Sequence, residues 1–371
     1  MAKTGVLGLL VVCVLAGCSS VEKKGEIAVT PAAKNIFIYS SGGSVVSGDV
    51  DPAAIGSGRL RFPPTAKNIK LYHDNEVLKW FTMQMSPRAN ERDAPADEKY
   101  QLIGFPLPGE GRVSFEYALP EITWTPMLTA SILDTKTVSL RVQAAITMGA
   151  NQAFEKCSLK LVLNNAMSLQ SLSGQTFNLD SFDLFPYRNV MYSLENRNVD
   201  YRFIREWNTY AGGDTVYIKL LVKNPFSINL SQTRYTVDYR QVNIDYGSLG
   251  TAARPGDTLT LDAGTDNSIK TFRAVKITEN RDNKHLPFNH YIAYTIQNTS
   301  DEEKIVYLVS SRITGNEHRS VYHFRKPPDA TPENTLIWIL TLAPHGTQTL
   351  EYDYDADIKD VPGENGFEQG G

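Results

Sequence analysis

Hydrophobic and polar residues alternate along much of this chain, and this period of two constrains the fold more than any other feature. The clearest run places apolar side chains at every second position: Val138, Leu140, Val142, Ala144 and Ile146. Successive side chains of a strand point to opposite faces, so this run predicts a strand with one buried face. The same alternation recurs within residues 159–163, 216–222, 292–296 and 350–354. No amphipathic helix pattern stands out, so the sequence predicts an all-β fold.

Turn signals separate these runs at short intervals. Gly212-Gly213-Asp214, Asn224-Pro225 and the residues at 254–257 and 314–316 are of this kind. Short strands with frequent turns are typical of β-sandwiches. We therefore expect two antiparallel β-sandwich domains, an N-terminal one at residues 34–200 and a C-terminal one at residues 201–355.

Two stretches depart from simple alternation. After Tyr239 the apolar positions change parity at Val242, which predicts a β-bulge near Arg240 and Gln241. Residues 336–342 (LIWILTL) are apolar at both parities. They predict a central strand that is covered on both faces.

The chain of 371 residues has 37 basic and 41 acidic side chains, which gives a formal charge of −4. This near balance argues against a nucleic-acid-binding protein. Hydrophobic residues make up 42% of the chain, enough for a substantial core and too many for global disorder.

The N-terminus has the pattern of a secretory signal peptide at residues 1–17. Lys3 precedes an apolar run at residues 5–15. Eleven residues span only about 16 Å as a helix, roughly half of a bilayer core, so the run is too short for a transmembrane anchor.

The segment Leu15-Ala16-Gly17-Cys18 resembles the lipobox of bacterial lipoproteins. The resemblance implies that Cys18 is lipidated, and several acyl chains give stable membrane anchoring. The alternative is an ordinary signal peptide that is followed by a cysteine by chance. Ser19 follows, where Asp would mark retention at the inner membrane, so we expect the outer membrane, on its periplasmic or surface face. Residues 18–33 are polar and predict a flexible lipidated tether. Residues 356–371 predict a disordered acidic tail.

The cysteine count fits this scheme. Cys13 leaves with the signal peptide and Cys18 is blocked by lipid, so Cys157 is the remaining thiol and cannot form an intramolecular disulfide. No basic cluster lies near Cys157 in the sequence. We therefore expect a half-buried strand residue rather than a nucleophile.

Several short motifs between residues 110 and 355 support a family resemblance. They include Val113-Ser114-Phe115-Glu116-Tyr117, Ile122-Thr123-Trp124-Thr125-Pro126, the Leu-rich run at residues 157–163, and the segments at 259–264, 278–281 and 291–298. Together they resemble the domain of unknown function 4139 family. The resemblance implies a β-sandwich envelope or surface protein and supplies no catalytic residues. The long coiled coil of some relatives is missing from this sequence.

Motifs that would identify a reaction are missing. The histidine pairs His285/His290 and His318/His323 are five residues apart, which places their side chains on opposite faces of a continuous strand and disfavours a metal site. Residues 262–268 are rich in oxygen atoms but lack the pattern of an EF-hand loop. We therefore expect a polar hairpin turn rather than a calcium site. We predict no cofactor, no metal and no enzymatic activity.

One segment rich in arginine and aromatic residues is the best candidate for a contact surface, because both residue types are enriched at interfaces. Its members are Arg188, Tyr192, Arg197, Tyr201, Arg202, Arg205 and Trp207. The alternative is that the aromatic rings pack inside a sandwich while the arginines face solvent.

These observations favour a lipid-anchored outer-membrane protein that acts as a non-catalytic binding or assembly component of the cell envelope. Its expected contacts are membrane lipid through Cys18 and a protein partner, with no nucleic acid. The oligomeric state is left open. The main alternative is a carbohydrate- or peptidoglycan-binding lipoprotein, and an envelope hydrolase is a third.

Overall fold

A computed structural model describes residues 28–40, 42–50, 58–87, 93, 95, 98–105, 111–163, 175–210, 213–250, 253–280, 283–313 and 319–359. The predicted signal peptide, Cys18, most of the tether and most of the tail lie outside these residues. The described chain is all-β with several packed sheets, which confirms the predicted fold class. Among the described residues no helix could span a membrane.

The strands, in chain order, are β1 (Asn35–Tyr39), β2 (Ser44–Val50), β3 (Arg59–Phe62), β4 (Lys67–His73), β5 (Glu76–Val77), β6 (Thr82–Met85), β7 (Gln101–Gly104), β8 (Val113–Leu119), β9 (Ile122–Ile132), β10 (Thr137–Met148), β11 (Phe154–Leu163), β12 (Gln175–Leu184), β13 (Arg188–Asn208), β14 (Tyr217–Lys223), β15 (Arg234–Tyr239), β16 (Val242–Ser248), β17 (Thr258–Thr265), β18 (Ile269–Glu279), β19 (Phe288–Asn298), β20 (Lys304–Ser311), β21 (Ser320–Phe324), β22 (Thr335–Leu342) and β23 (Thr347–Ala356).

Four sheets contain these strands. One has the order β12-β11-β1-β2-β8-β4-β5. A nine-stranded sheet runs β16-β15-β9-β10-β13-β14-β17, with β20 paired to β13 and β22 paired to β20. A third has the order β18-β19-β23-β21, and a small sheet has the order β3-β7-β6. Most pairs are antiparallel, but β1 with β11, β9 with β15, and β13 with β20 are parallel.

The first hydrophobic core follows directly from the alternating pattern. Along β10 the five apolar residues of the clearest sequence run are buried, and their neighbours are half-buried or exposed. The cluster they join extends from Ile36 to Ala263 and includes the buried side chains of β14, β15 and β17.

A second core lies between β20 and β22 on one side and β19 and β23 on the other. It is rich in aromatic rings: Trp338 stacks on Tyr352 with ring centroids 5.3 Å apart, and Trp207 meets Tyr294 edge to face at 5.3 Å. Edge-to-face and stacked pairs add stability beyond the buried area.

The strand β13 takes part in both cores. Its 21 residues run from the region of Phe182, which packs against the first core, to Trp207 in the second. The predicted domain boundary at residue 200 falls within this strand and stays a prediction.

Two local predictions differ from the structure. Arg240 and Gln241 form the two-residue turn between β15 and β16, with φ of 50° and 66°. The register irregularity lies beside this turn, between Val237 and Asp238. Two positive φ values in succession are the signature of a type I′ hairpin, so the parity changes because the chain reverses. Residues 336–342 form β22, which pairs along one edge with β20 and is buried on one face only. Ile339 on the other face is exposed.

Candidate binding surface on β13

The first half of β13 is paired along one edge. Residues 188–200 pair with β10, and β14 begins to pair only at Tyr201. No described strand pairs with the other side of residues 189–200, and most of their side chains are exposed on both faces. We call this side of residues 189–200 the open edge.

The open edge exists because β14 ends abruptly. The amide of Asn224 donates to the carbonyl oxygens of Ile228 and Ala253, and its Oδ1 atom accepts from the N–H of Phe226. Pro225 follows and has no N–H to donate to a neighbouring strand. The chain therefore turns away at Asn224, and the strand position beside residues 189–200 stays vacant among the described residues.

Hydrogen-bond alternation shows which backbone groups face the open edge. The N–H of Tyr201 donates to the carbonyl of Lys136, on the side of β10. In an antiparallel pair the residues that bond across a ladder alternate with residues that point away from it. The backbone N–H groups of Asn196, Asn198 and Asp200 therefore point to the open edge.

Four members of the predicted contact surface are exposed. The guanidinium of Arg188 lies over the ring of Phe185, and Tyr192 contacts Phe182 edge to face at 5.9 Å. Arg197 lies 3.6 Å from Glu195, and Arg202 is exposed on the opposite face of β13. Their positions agree with a surface, and its binding role stays a prediction.

The other three members lie deeper. Trp207 is 1% exposed, and its indole N–H donates to the carbonyl of Gly213, so this residue belongs to the second core and not to a surface. Tyr201 is half-buried and donates to the carbonyl of Asp134 at 2.8 Å. Arg205 is held in an internal ion pair. Sequence reasoning included them because alternation along β13 does not show where its neighbours cover it.

That ion pair centres on Asp266. Its carboxylate accepts from the Nε of Arg205 at 2.6 Å and from the Nζ of Lys304 at 2.8 Å. Burial alone would raise the pKa of Asp266, but hydrogen bonds from Lys304, Ser268 and Arg205 outweigh it and hold the pKa well below its ordinary value. The oxygen-rich stretch at residues 262–268 is thus the end of β17 and the turn that leads to β18. It is not the predicted hairpin, because β17 and β18 lie in different sheets. Protein cations already occupy its central carboxylate.

Two other candidate reactive groups, the thiol of Cys157 and the imidazole of His290, are buried in the fold. Burial, with a contribution from the Asp183 charge, raises the pKa of Cys157 to about 11, which disfavours the thiolate. His290 is buried and stacks on Tyr354 at 4.6 Å. Within the described ranges, no group of three His, Cys, Asp or Glu side chains could hold a metal. His318 lies outside them.

A polar groove of about 310 Å³ was not anticipated from the sequence. The residues along it are Thr30, Arg61, Phe62, Pro63, Lys99, Tyr100, Asn151 and Gln152. The Arg61 guanidinium lies over the Tyr100 ring, 4.6 Å from its centroid. This arrangement places positive charge and amide donors in the groove but covers one face of its tyrosine.

An exposed apolar strip was also missed. Val77, Trp80, Met83 and Met85 lie within nine residues of one another beside and on β6. The density of large apolar residues around Trp80 was a usable signal, but alone it fits a core strand equally well.

No family model matches the chain, and no curated protein matches it. The resemblance to the domain of unknown function 4139 family therefore stays a prediction. The fold and the geometry define the class: an all-β protein of packed sheets, in which residues 189–200 of the long strand β13 pair with a described strand on one side only.

Proposed function

We propose that this chain is a lipid-anchored, non-catalytic binding component of the bacterial cell envelope. Cys18 holds it on the outer membrane, and the open edge of β13 binds a protein partner by strand addition. In this recognition mode backbone hydrogen bonds supply affinity, and side chains on alternate positions supply specificity.

The observation that carries the proposal is the open edge itself. Folded proteins usually cover or shorten such edges, because unpaired N–H and C=O groups attract other strands. Here three outward N–H groups, at Asn196, Asn198 and Asp200, lie on a strand already held in place by β10.

Charge on this edge restricts its partner. Arg197 lies opposite the buried Leu140 of β10, so its exposed guanidinium points to the core side of the sheet. A charge in this position opposes indiscriminate strand pairing. With Arg188 and Arg202 also present, the three arginines outnumber the two acids Glu195 and Asp200 along this stretch, and the net positive charge favours an extended partner segment with acidic side chains.

A site-specific photocrosslinker in full-length, lipidated protein in cells tests this proposal. We place it at Asn198 on the open edge and, as a matched control, at Arg141 on β10. Arg141 is exposed but its strand is paired on both sides. Purification from detergent-solubilised outer membrane and mass spectrometry should identify one stoichiometric protein at Asn198 and none at Arg141. Equal crosslinking at both positions, or none at either, would contradict the proposal.

The anchor is tested separately by fractionating cells. Cys18→Ala should release the protein from membranes, whereas Cys157→Ser should leave it in the outer-membrane fraction. A Cys18→Ala protein that stays in the outer membrane would contradict lipid anchoring.

The polar groove favours a second candidate function, binding of an acidic glycan. Arg61 and Lys99 would pair with a carboxylate, and the amides of Asn151 and Gln152 would bond hydroxyl groups. Calorimetry of the protein with soluble peptidoglycan fragments should then detect binding that Arg61→Ala weakens. Unchanged binding by this variant would remove the groove from consideration.

A further inference from the structure

The apolar strip on and beside β6 presents large side chains to solvent. Trp80 is 63% exposed, Met83 61%, Val77 57% and Met85 39%. Between them, Leu78 and Phe81 pack against the first core. These inward residues fix the segment, so its outward residues form a defined surface.

The register shows why this surface is apolar. Met83 lies opposite Ile103, and Met85 lies opposite Gln101, both of which are buried on β7. Directly opposite residues share a face of the sheet. The core-facing side of the small sheet therefore continues onto β6, where no described element covers it.

The N-terminal segment enters the fold on this same small sheet. Val29 pairs with Leu60 of β3, and β7 separates β3 from β6. Three strand spacings of about 4.8 Å place Val29 about 14 Å from β6. Nine residues lie between Cys18 and Ala28, and the ten residue steps that join them reach at most about 36 Å. A lipid on Cys18 can therefore enter a bilayer that touches β6.

We propose that the apolar strip docks on the surface of the bilayer that holds the lipid of Cys18. This inference rests on the lipid anchor of the proposed function. The composition of the strip fits a membrane surface: Trp is enriched at the membrane–water interface, and Met adapts its shape to irregular apolar surroundings. Lys79, exposed within the strip, adds a positive charge that favours anionic headgroups.

Because the lipid tethers the protein to the bilayer, even weak insertion of the apolar strip is sufficient for docking. Once the lipid is inserted, the strip meets the bilayer at the high effective concentration set by a short connection. The strip then fixes which side of the body faces the membrane, which the lipid alone does not do.

Trp80 reports directly on this contact. All four tryptophans of the chain are described, and Trp124, Trp207 and Trp338 are at most 1% exposed. Quenchers dissolved in water or attached to lipid should therefore act on Trp80 and spare the others.

The test uses full-length lipidated protein in vesicles of phosphatidylethanolamine and phosphatidylglycerol, with or without bromine on the acyl chains. We expect lower tryptophan emission in the brominated vesicles and protection of Trp80 from aqueous acrylamide. Trp80→Phe should abolish the bromine-dependent loss. Met83→Glu retains Trp80 and should fold normally, because residue 83 is exposed. This variant should reduce the bromine-dependent loss of tryptophan emission.

Flotation of the same vesicles separates the outcomes. Protein that floats without bromine quenching, and with Trp80 open to acrylamide, overturns membrane docking while the anchor stands. Floating protein protected from acrylamide but not quenched by bromine also overturns it and indicates a second copy of the chain on the strip. Protein that does not float contradicts the lipid anchor itself.

Discussion

The Nε atom of Arg205 donates to the Oδ2 atom of Asp266 at 2.6 Å, which ties β13 to the turn after β17. Lys304, at the start of β20, binds the same carboxylate at 2.8 and 3.0 Å. One buried anion thus joins three segments from distant parts of the chain where the two cores meet. Each of the two cations depends on it for compensation.

Replacing that anion should destabilise the protein. Asp266→Asn leaves Arg205 and Lys304 without a negative partner in a largely buried site, and breaking a buried pair this way costs about 3 kcal/mol or more. Urea denaturation would measure the change. Asp301→Asn is the control: Asp301 also binds a basic side chain, His345, but is exposed, and its loss should have little effect. Equal effects of both variants would contradict this assignment.

The same carboxylate predicts a pH dependence. Because the folded pKa of Asp266 lies below its unfolded value, the anion stabilises the fold fully above about pH 4, and this contribution falls as pH drops toward the folded pKa. The Asp266→Asn variant lacks this pH-dependent contribution to stability. The difference in free energy of unfolding between wild type and Asp266→Asn should therefore shrink below about pH 4 in urea titrations. A difference that stays constant down to pH 2 would disagree.

Asn224 should be a stability determinant of the turn after β14. Asn224→Ala removes two donated hydrogen bonds and one accepted bond at a buried position, at a cost of about 3 kcal/mol. Thermal or chemical unfolding would reveal the loss. Asn243→Ala, at an exposed position on β16, serves as the matched control and should unfold like wild type.

Backbone chemistry at the open edge can be changed with little effect on the fold. Asn198→Pro removes an N–H that points away from β10, and proline is tolerated at the outer side of edge strands. With the photocrosslinker placed at Asn196 on the same edge, partner crosslinking should be lost in this variant. Asn198→Ala keeps the N–H and should keep the partner, so binding lost in both variants would indicate a side-chain contact instead.

Burial should make Cys157 unreactive in the folded protein. With a pKa of about 11 and a buried sulfur, its thiolate is scarce at pH 8. Alkylation followed by peptide mass spectrometry should show slow labelling of Cys157 under native conditions and fast labelling in urea. Fast native labelling would mean that the strand around Cys157 opens readily.

The sequence predicted those features that depend on neighbouring residues. Period-two runs such as that of β10 identified strands and their buried faces because the burial of a strand residue alternates locally. The same logic did not separate the turn at Arg240 and Gln241 from the register irregularity between Val237 and Asp238, since a tight hairpin and a bulge both change the parity of the pattern.

Features that depend on distant contacts could not be predicted. Arg205 and Asp266 are 61 residues apart, and Lys304 is 38 further on, so no local pattern shows that they meet. Of the residues predicted for a surface on β13, Arg188, Arg197 and Arg202 are exposed, but Trp207 is buried because Tyr294 of β19 packs against it. The apolar strip at Trp80 required knowledge of which face of β6 is left uncovered.

The continuity of β13 has a mechanical consequence. Its 21 residues would extend about 70 Å as an ideal strand, and β10, β14 and β20 bond to it in turn along that length. A strand added at the open edge and pulled along its axis would load these bonds in shear, many at once, rather than opening them singly. Tension along β13 would thus be shared by the hydrogen bonds to all three neighbouring strands, whose buried residues belong to both cores.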